Sequence, residues 1–460
     1  MSLQERMSAL EVRASASLAS IYGLRMLGMF LILPIFAIYA ESLPDHPSHL
    51  MIGLALGAYG LTQAIFQLPF GMASDKYGRK RVIYFGLAIF AIGSLVAALA
   101  HNIEMIIVGR AIQGAGAVSA AVTALVADLT REEHRTKAMA MIGGTIGITF
   151  ALSLILGPAL NQWIGIPGIF AMTGVLTLCA MLVVKYVVPD PVVSRFHSDA
   201  EATPAKLGEV LANTQLLRFN FGIFALHAAQ MAMFVVVPFA INQTTRMTVN
   251  DHWKIYLPIL VLSFVLMVPA IIYGEKRAKL KQVFVGAVAV MLAAQLLFAF
   301  SISQFWGIIA SLSAYFIAFN ILEATLPSII TKMAPAASKG TAIGVYNTSQ
   351  SLGVFVGGAL GGYLAHYHGN SSVFAFCSIL MGLWLLFAAS MKAPPAVKSK
   401  MYHLSEMSAD KGRQLSTRLS KLQGIREAVV LPDEGTVILK VDMQHAWDEA
   451  GVLDLIENER

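Results

Sequence analysis

The sequence predicts an all-α polytopic membrane protein with a small α+β domain at its C-terminal end. Three observations lead there. Of 460 residues, 57% are hydrophobic and only 13% charged, with a mean hydropathy of +0.67, whereas ordinary soluble domains are roughly 25% charged. Apolar stretches of roughly 20 residues, each enough to cross about 30 Å of hydrocarbon, recur along most of the chain. Near residue 400 the character changes. The first 400 residues hold 26 Lys and Arg against 16 Asp and Glu, and the last 60 hold 7 against 11. A long apolar, basic body is therefore followed by a short acidic tail. This composition excludes a disordered chain and argues against a soluble enzyme. Cys179 and Cys377 lie within apolar runs, which leaves no disulfide framework and no Cys-rich metal site.

In chain order, twelve stretches qualify as spans. They lie near 16–40, 50–72, 82–100, 104–127, 137–162, 167–188, 216–241, 253–274, 282–301, 305–331, 340–365 and 371–391. Ahead of the first, Gln4 to Arg13 is polar and amphipathic, unlike a cleavable signal peptide. One set of connections carries Lys76, Arg79, Lys80 and Arg81, then Arg131, Arg135 and Lys137, then Arg195 and Lys206. It continues with Lys276, Arg277, Lys279 and Lys281, then Lys332 and Lys339. The other set carries only Arg246 and Lys254. Basic connections stay in the cytoplasm, so both termini are expected there. The longest connection, polar and between spans six and seven, divides the body. Residues 1–188 form one six-span bundle and 216–395 another. Residues 189–215 link them through a short surface helix whose Leu207, Val210 and Leu211 share a face. Weak echoes between the halves support this division. Gly71 to Arg81 has a degraded counterpart in Gly274-Glu275-Lys276-Arg277. Gly157-Pro158-Ala159-Leu160 is answered by Gly357 to Gly362. Parallel repeats around a central cavity are a transporter architecture.

The connection after span two reads Gly71-Met72-Ala73-Ser74-Asp75-Lys76-Tyr77-Gly78-Arg79-Lys80-Arg81. Gly71 lets two helices approach closely, and Gly78 permits a turn at positive φ. Asp75 suits the positive end of a neighbouring helix. Arg79 needs a carboxylate, and Asp128 at the end of span four is the candidate. Together these residues would form a conformational-switch loop. The stretch resembles the signature loop of the major facilitator superfamily, G-x-x-x-D-x-x-G-R-K. Gly109-Arg110-Ala111-Ile112-Gln113-Gly114 resembles the R-x-x-Q-G motif of its drug/proton antiporter group. Gly157-Pro158 resembles the packing core of the antiporter motif G-x-x-x-G-P-x-x-G-G. This chain departs from that motif, with Ser153 for the first glycine and Asn161-Gln162 for the closing pair. The resemblance implies the twelve-span major facilitator fold in a bacterial inner membrane. It also implies alternating access by rocking of two bundles, and efflux driven by the proton gradient. The expected partners are a small-molecule substrate, protons and the bilayer, with no nucleic acid and no second copy of the chain. No cofactor and no metal are implied.

Charges inside spans are costly, about 2.5–3.5 kcal/mol each at the centre on insertion scales, and so mark functional candidates. Glu323 is the only carboxylate deep in a span. Arg25, His227 and Glu323 each lie nine or ten residues from a span end, near the midplane. Glu323 is the candidate proton carrier, with Arg25, His227 and the shallower Arg110 as partners. A permanent structural pairing of Glu323 with Arg25 or His227 remains the alternative. For the substrate cavity the candidates are Gln63 and Gln67, Gln113, Asn320, and Asn347 and Gln350. Spacings of three or four residues put such pairs on one helix face. The same amides could equally hydrogen-bond between helices. A cavity with so few deep charges suits amphipathic or weakly cationic compounds.

The tail, 398–460, reads β-α-β-β-α, a ferredoxin-like order. Its strands lie at Met401–Leu404, Glu427–Leu431 and Thr436–Met443. One helix is marked by Leu415, Leu419 and Leu422, and another spans Ala446–Glu457. Gly424 to Val429 resembles heavy-metal-associated domains, but the metal loop here, His403 to Ser408, contains no cysteine. Docking, regulation or ligand sensing remain open for it. For the whole chain, proton-coupled export leads. A facilitator or symporter of a small metabolite, and a membrane sensor signalling through the tail, are the alternatives. No nucleophile–base pair or nucleotide loop suggests an enzyme.

Overall fold

The computed structural model describes residues 7–191, 204–245, 247–335, 338–394, 397–404, 407–432, 435–442 and 446–457. Arg195 and Arg246, expected on opposite sides of the membrane, lie outside them, as do Ser405 and Glu406 in the loop after the first tail strand. The helices are α1 (Ala9–Phe30), α2 (Phe36–Glu41), α3 (His49–Tyr77), α4 (Arg79–Ala98), α5 (Ile103–Ala115), α6 (Ser119–Asp128) and α7 (Glu132–Tyr186). There follow α8 (Leu207–Ala212), α9 (Thr214–Thr245), α10 (Trp253–Lys276), α11 (Leu280–Ser301), α12 (Phe305–Met333), α13 (Lys339–His368) and α14 (Asn370–Ala389). Among the described residues, nine helical segments are long and apolar enough to cross a membrane.

Four expected spans are built differently from a single rod. Span four is broken: α5 ends at Ala115 and α6 begins at Ser119, with Gly116 at φ −73°, ψ 52° between them. Spans five and six are joined in α7, where Gly165 takes φ 64°, ψ 176°. A straight helix of that length would reach about 80 Å. Instead both ends of α7 meet the start of α1. Arg131, just before α7, pairs with Glu11 at 3.0 Å, and Arg13 donates to the Val187 carbonyl just after it at 3.0 Å. The chain therefore doubles back at Gly165. The first span is also interrupted, at Leu31–Ile35, and Gly157 of α7 lies so close there that a methyl group would strike the Leu31 carbonyl oxygen. The short α8 buries Val210 but leaves Leu211 exposed, so its apolar face is only partly covered.

Helices α1–α7 pack among themselves and α9–α14 among themselves. The two groups meet mainly along α3 and α13. At one end, here called the basic end, lie Gly78, Asp128, Glu275 and Lys332. At the opposite, far end, α3 and α13 touch backbone to backbone. A methyl on Gly53 would strike the Gly358 carbonyl, and one on Gly57 would lie 2.9 Å from the Phe355 carbonyl oxygen. The Asn161 amide donates to the Asn250 side chain at 2.8 Å, closing the same end between α7 and the approach to α10.

The basic end is tied by charge. Ser8 and Glu11 form a capping box at the start of α1. Glu11 also accepts from both the backbone and the side chain of Arg131. Burial alone would push the Glu11 carboxyl up. The bonds from Arg131 and Ser8 outweigh it and hold the carboxyl at about 2 instead of 4.5. Because the folded value is depressed, the stabilisation is complete above about 4.5 and disappears as pH falls through about 2. Glu11→Gln is expected to lower the melting temperature at neutral pH. Melting curves of variant and wild type should converge between those two pH values. A gap that persists at pH 2 would rule out this carboxylate as its source.

The tail forms a three-stranded sheet, β1 (Val397–His403), β2 (Ile425–Leu431) and β3 (Thr436–Asp442), with α15 (Ala409–Leu419) and α16 (Glu449–Glu457). The order is β1-β3-β2, and both outer strands run antiparallel to β3. β1 opens at Val397, four residues before the expected Met401. Leu415, Leu419, Val437, Leu439 and Val452 form its core. Lys440 of β3 is nearly buried and donates to the Ala334 carbonyl, at 2.7 Å, just past the end of α12. A cation at a helix C-terminus meets the negative end of the macrodipole, so the sheet is seated on the turn between α12 and α13.

Candidate functional site

The signature loop is fixed by three charged groups at the basic end. Gly78 takes φ 97° between α3 and α4, a value that favours glycine. The turn sends Arg79 back into the protein, where its guanidinium bonds Asp75, Ser74 at 2.9 Å and Asp128 at 3.2 Å. The Arg79 and Asp128 side chains are almost wholly buried. Lys80 reaches the Val188 carbonyl at 2.7 Å, which ties α4 to the end of α7. The second helix group carries an echo of opposite sense, with Glu275 at the end of α10 and Lys332 near the end of α12, 2.7 Å apart. A cavity of ≈ 40 Å³ separates Asp75 and Arg79 from Gly340, Ile343 and Gly344 at the start of α13. Gly71 lies in its wall.

A second cavity, also ≈ 40 Å³, lies between the two helix groups. Gln63 and Gln67 of α3 face it from one side, and His227 of α9 with Asn347 and Gln350 of α13 from the other. Tyr22, Met26, Met29, Phe30 and Tyr59 supply its apolar wall. Gln67 and Asn347 also line the basic-end cavity, so the two are neighbours along one path. Space of this size holds a few water molecules. It is a contracted cavity, sealed at the far end by the α3–α13 contact. Two of the amides expected to line it do other things. Asn320 donates to Ser263 at 2.7 Å, tying α12 to α10. Gln113 donates to Ser94 at 2.8 Å and accepts from Arg110 at 3.0 Å. Both are spent between helices, as a satisfied amide in an apolar medium must be.

The three deep ionisable residues fall into two groups. On the α9–α14 side, Glu323 Oε2 stands 3.8 Å from His227 Nε2. His227 Nδ1 is 3.2 Å from the Ile223 carbonyl, which can only accept, so Nδ1 carries the hydrogen. In the neutral ring Nε2 is then the acceptor, and the Gln350 amide donates to it at 2.8 Å. Glu323 Oε2 is buried with no hydrogen-bond partner among the described residues. The hydroxyls of Tyr315 and Tyr346 are likewise buried without partners, within electrostatic reach of Glu323. Nothing in the sequence singles out these tyrosines, since aromatic residues are common in spans.

Arg25 is not paired with Glu323. Its Nη1 donates to Ser119 Oγ at 2.7 Å, and its guanidinium lies 5.6 Å from the centre of the Tyr59 ring. Arg110 lies 5.0 Å from the same ring and donates to the Ala55 carbonyl. Position along a helix axis places a residue at the midplane but does not say which way it faces. That is why the sequence could suggest an Arg25–Glu323 pair that the packing does not make.

The Major Facilitator Superfamily model matches residues 18–358 and again 276–426. The chain is 42% identical over 438 residues to the inner membrane transport protein YajR of Escherichia coli, covering 95% of this chain and 96% of that one. It is 24% identical over 367 residues to the quinolone resistance protein NorA of Staphylococcus aureus, covering 76% of this chain and 89% of that one. Among solved structures, a bacterial homologue of the human lysosomal transporter Spinster superposes with a TM-score of 0.66. The identity is 13%, over 83% of this chain and 97% of that one. The signature loop, the helix groups and the family match agree: the chain is a membrane transporter that belongs to the major facilitator superfamily.

Proposed function

We propose that the protein is a proton-coupled antiporter that exports small amphipathic, drug-like compounds by alternating access. In this reading twelve spans form two six-span bundles, residues 1–188 and 216–395, joined by 189–215. The basic end and both termini face the cytoplasm, residues 398–460 form a ferredoxin-like cytoplasmic domain, and the chain acts as a monomer. The observation that carries the reading is the line Glu323–His227–Gln350, which runs from a carboxyl whose Oε2 is buried without a hydrogen bond, 3.8 Å from His227, to the wall of the central cavity. A proton arriving at His227 Nε2 would displace the Gln350 donor and face the ring toward Glu323. Gln350 would then turn its amide toward the cavity. Proton occupancy and the polarity of the substrate wall are thereby alternatives of one another, as exchange of two cargoes requires. The link to NorA, a quinolone resistance protein, supports drug-like cargo.

The test uses inverted membrane vesicles with an imposed pH gradient and a pH-sensitive dye. Proton release on addition of an amphipathic drug is the expected result. Substrate flux without any proton movement would replace antiport by facilitated diffusion.

A further inference from the structure

We propose that Arg25 and the start of α6 form the recognition point for the carboxylate of an amphipathic aromatic substrate. Arg25 is 2% exposed. One of its nitrogens is satisfied by Ser119, the first residue of α6, while Nε and Nη2 have no hydrogen-bond partner among the described residues. Those two N–H groups form one edge of the guanidinium, the edge whose parallel donors match the two oxygens of a carboxylate. A buried cation left with that edge free is costly unless something anionic arrives.

The break in span four supplies the second half of the site. α6 starts within the membrane region, and no side chain caps its first turn. Its leading N–H groups and positive dipole end favour an anion. Discontinuous helices with this polarity are how transporters seat anionic substrate groups. Arg110, held by Ala55 and Gln113, adds a second positive charge beside Tyr59. No carboxylate is paired with either guanidinium among the described residues. The adjoining cavity is walled by Tyr22, Tyr59, Phe30, Met26 and Met29, an aromatic and thioether lining suited to a flat apolar body. The sequence favoured amphipathic or weakly cationic cargo, and this geometry adds an anionic head group to an amphipathic body. As the cavity stands it must widen to admit one. The inference rests on the transport reading but not on proton coupling.

The test is calorimetric titration of the purified full-length protein near neutral pH with naphthoate, naphthamide and naphthylmethylammonium. These share one aromatic body and differ in charge. Naphthoate should bind, and the other two at least about tenfold more weakly, a difference of about 1.4 kcal/mol. Arg25→Gln should cost naphthoate about tenfold or more in affinity. Arg25→Lys keeps the charge, loses the fork, and should lie between wild type and Arg25→Gln. It also guards against misfolding of the neutral variant, checked by melting temperature. Equal naphthoate affinity in wild type and Arg25→Gln overturns the proposal. So does ammonium binding as tightly as naphthoate, or no naphthoate binding to the wild type. Proton flux in the wild type separates the two readings: Arg25-dependent naphthoate binding by a wild type that moves no protons when substrate is added would leave this site standing and remove antiport.

Discussion

Glu323→Gln is expected to reduce pH-gradient-driven substrate accumulation by about two orders of magnitude, the scale of losing a positioned proton-transfer group. The substitution is nearly isosteric, so the packing around α12 should survive. What it removes is the ability to exist in two charge states beside His227. Counterflow of substrate without a gradient should therefore persist while uphill transport fails. That split distinguishes a coupling residue from a structural one, since a destabilised bundle would lose both. Undiminished uphill transport in Glu323→Gln would remove this carboxylate from the coupling step.

Gly358→Leu should hold the far end apart and stop transport. A methyl at Gly358 already meets only backbone: the Gly53 carbonyl, the Gly57 nitrogen at 3.0 Å and the Gly57 Cα at 3.1 Å. No side chain can swing aside. Overpacking of this kind costs about 1–3 kcal/mol, and separating the two helix groups is the available relief. The readout is the reactivity of Val354→Cys, a buried position in the wall of the central cavity. Cys179 and Cys377 are replaced by alanine beforehand. A membrane-impermeant maleimide added on the far side should label Val354→Cys slowly in the otherwise native background and rapidly with Gly358→Leu. Equal labelling rates, or retained transport, would mean that α3 and α13 do not gate that end.

Much of this arrangement is legible in the sequence, and the exceptions share a cause. Hydropathy located the helices, including the reversal between spans five and six now seen at Gly165. The loop from Gly71 to Arg81 named its own partner, because a buried arginine needs a carboxylate and Asp128 closes the right helix. Ser8 and Glu11 carry the spacing of a capping box and were open to the same reasoning. By contrast Gly114-Ala115-Gly116 reads as close packing, and only the backbone reveals that it ends one helix and lets another begin. The rotation of each helix about its axis was equally hidden. An apolar residue satisfies lipid and protein alike, so the pattern that fixes a soluble helix's inner face is weak here. Hence Gln63, Gln67, Asn347 and Gln350 face one cavity, Asn320 and Gln113 are committed elsewhere, and Arg25 turns to Ser119.

The seat of Lys440 changes what a deletion experiment means. Removing residues 398–460 takes away not only a sheet but the cation that satisfies the Ala334 carbonyl at the foot of α12, the helix that carries Glu323. A truncated transporter that slows down would thus report two lesions at once, a missing domain and a frayed helix end. Lys440→Met, in a chain of full length, keeps the sheet and removes that bond together with the 2.7 Å Lys440–Glu427 ion pair, for which Glu427→Gln is the control. The sheet is better regarded as the keystone of that helix than as an appendage hung from it.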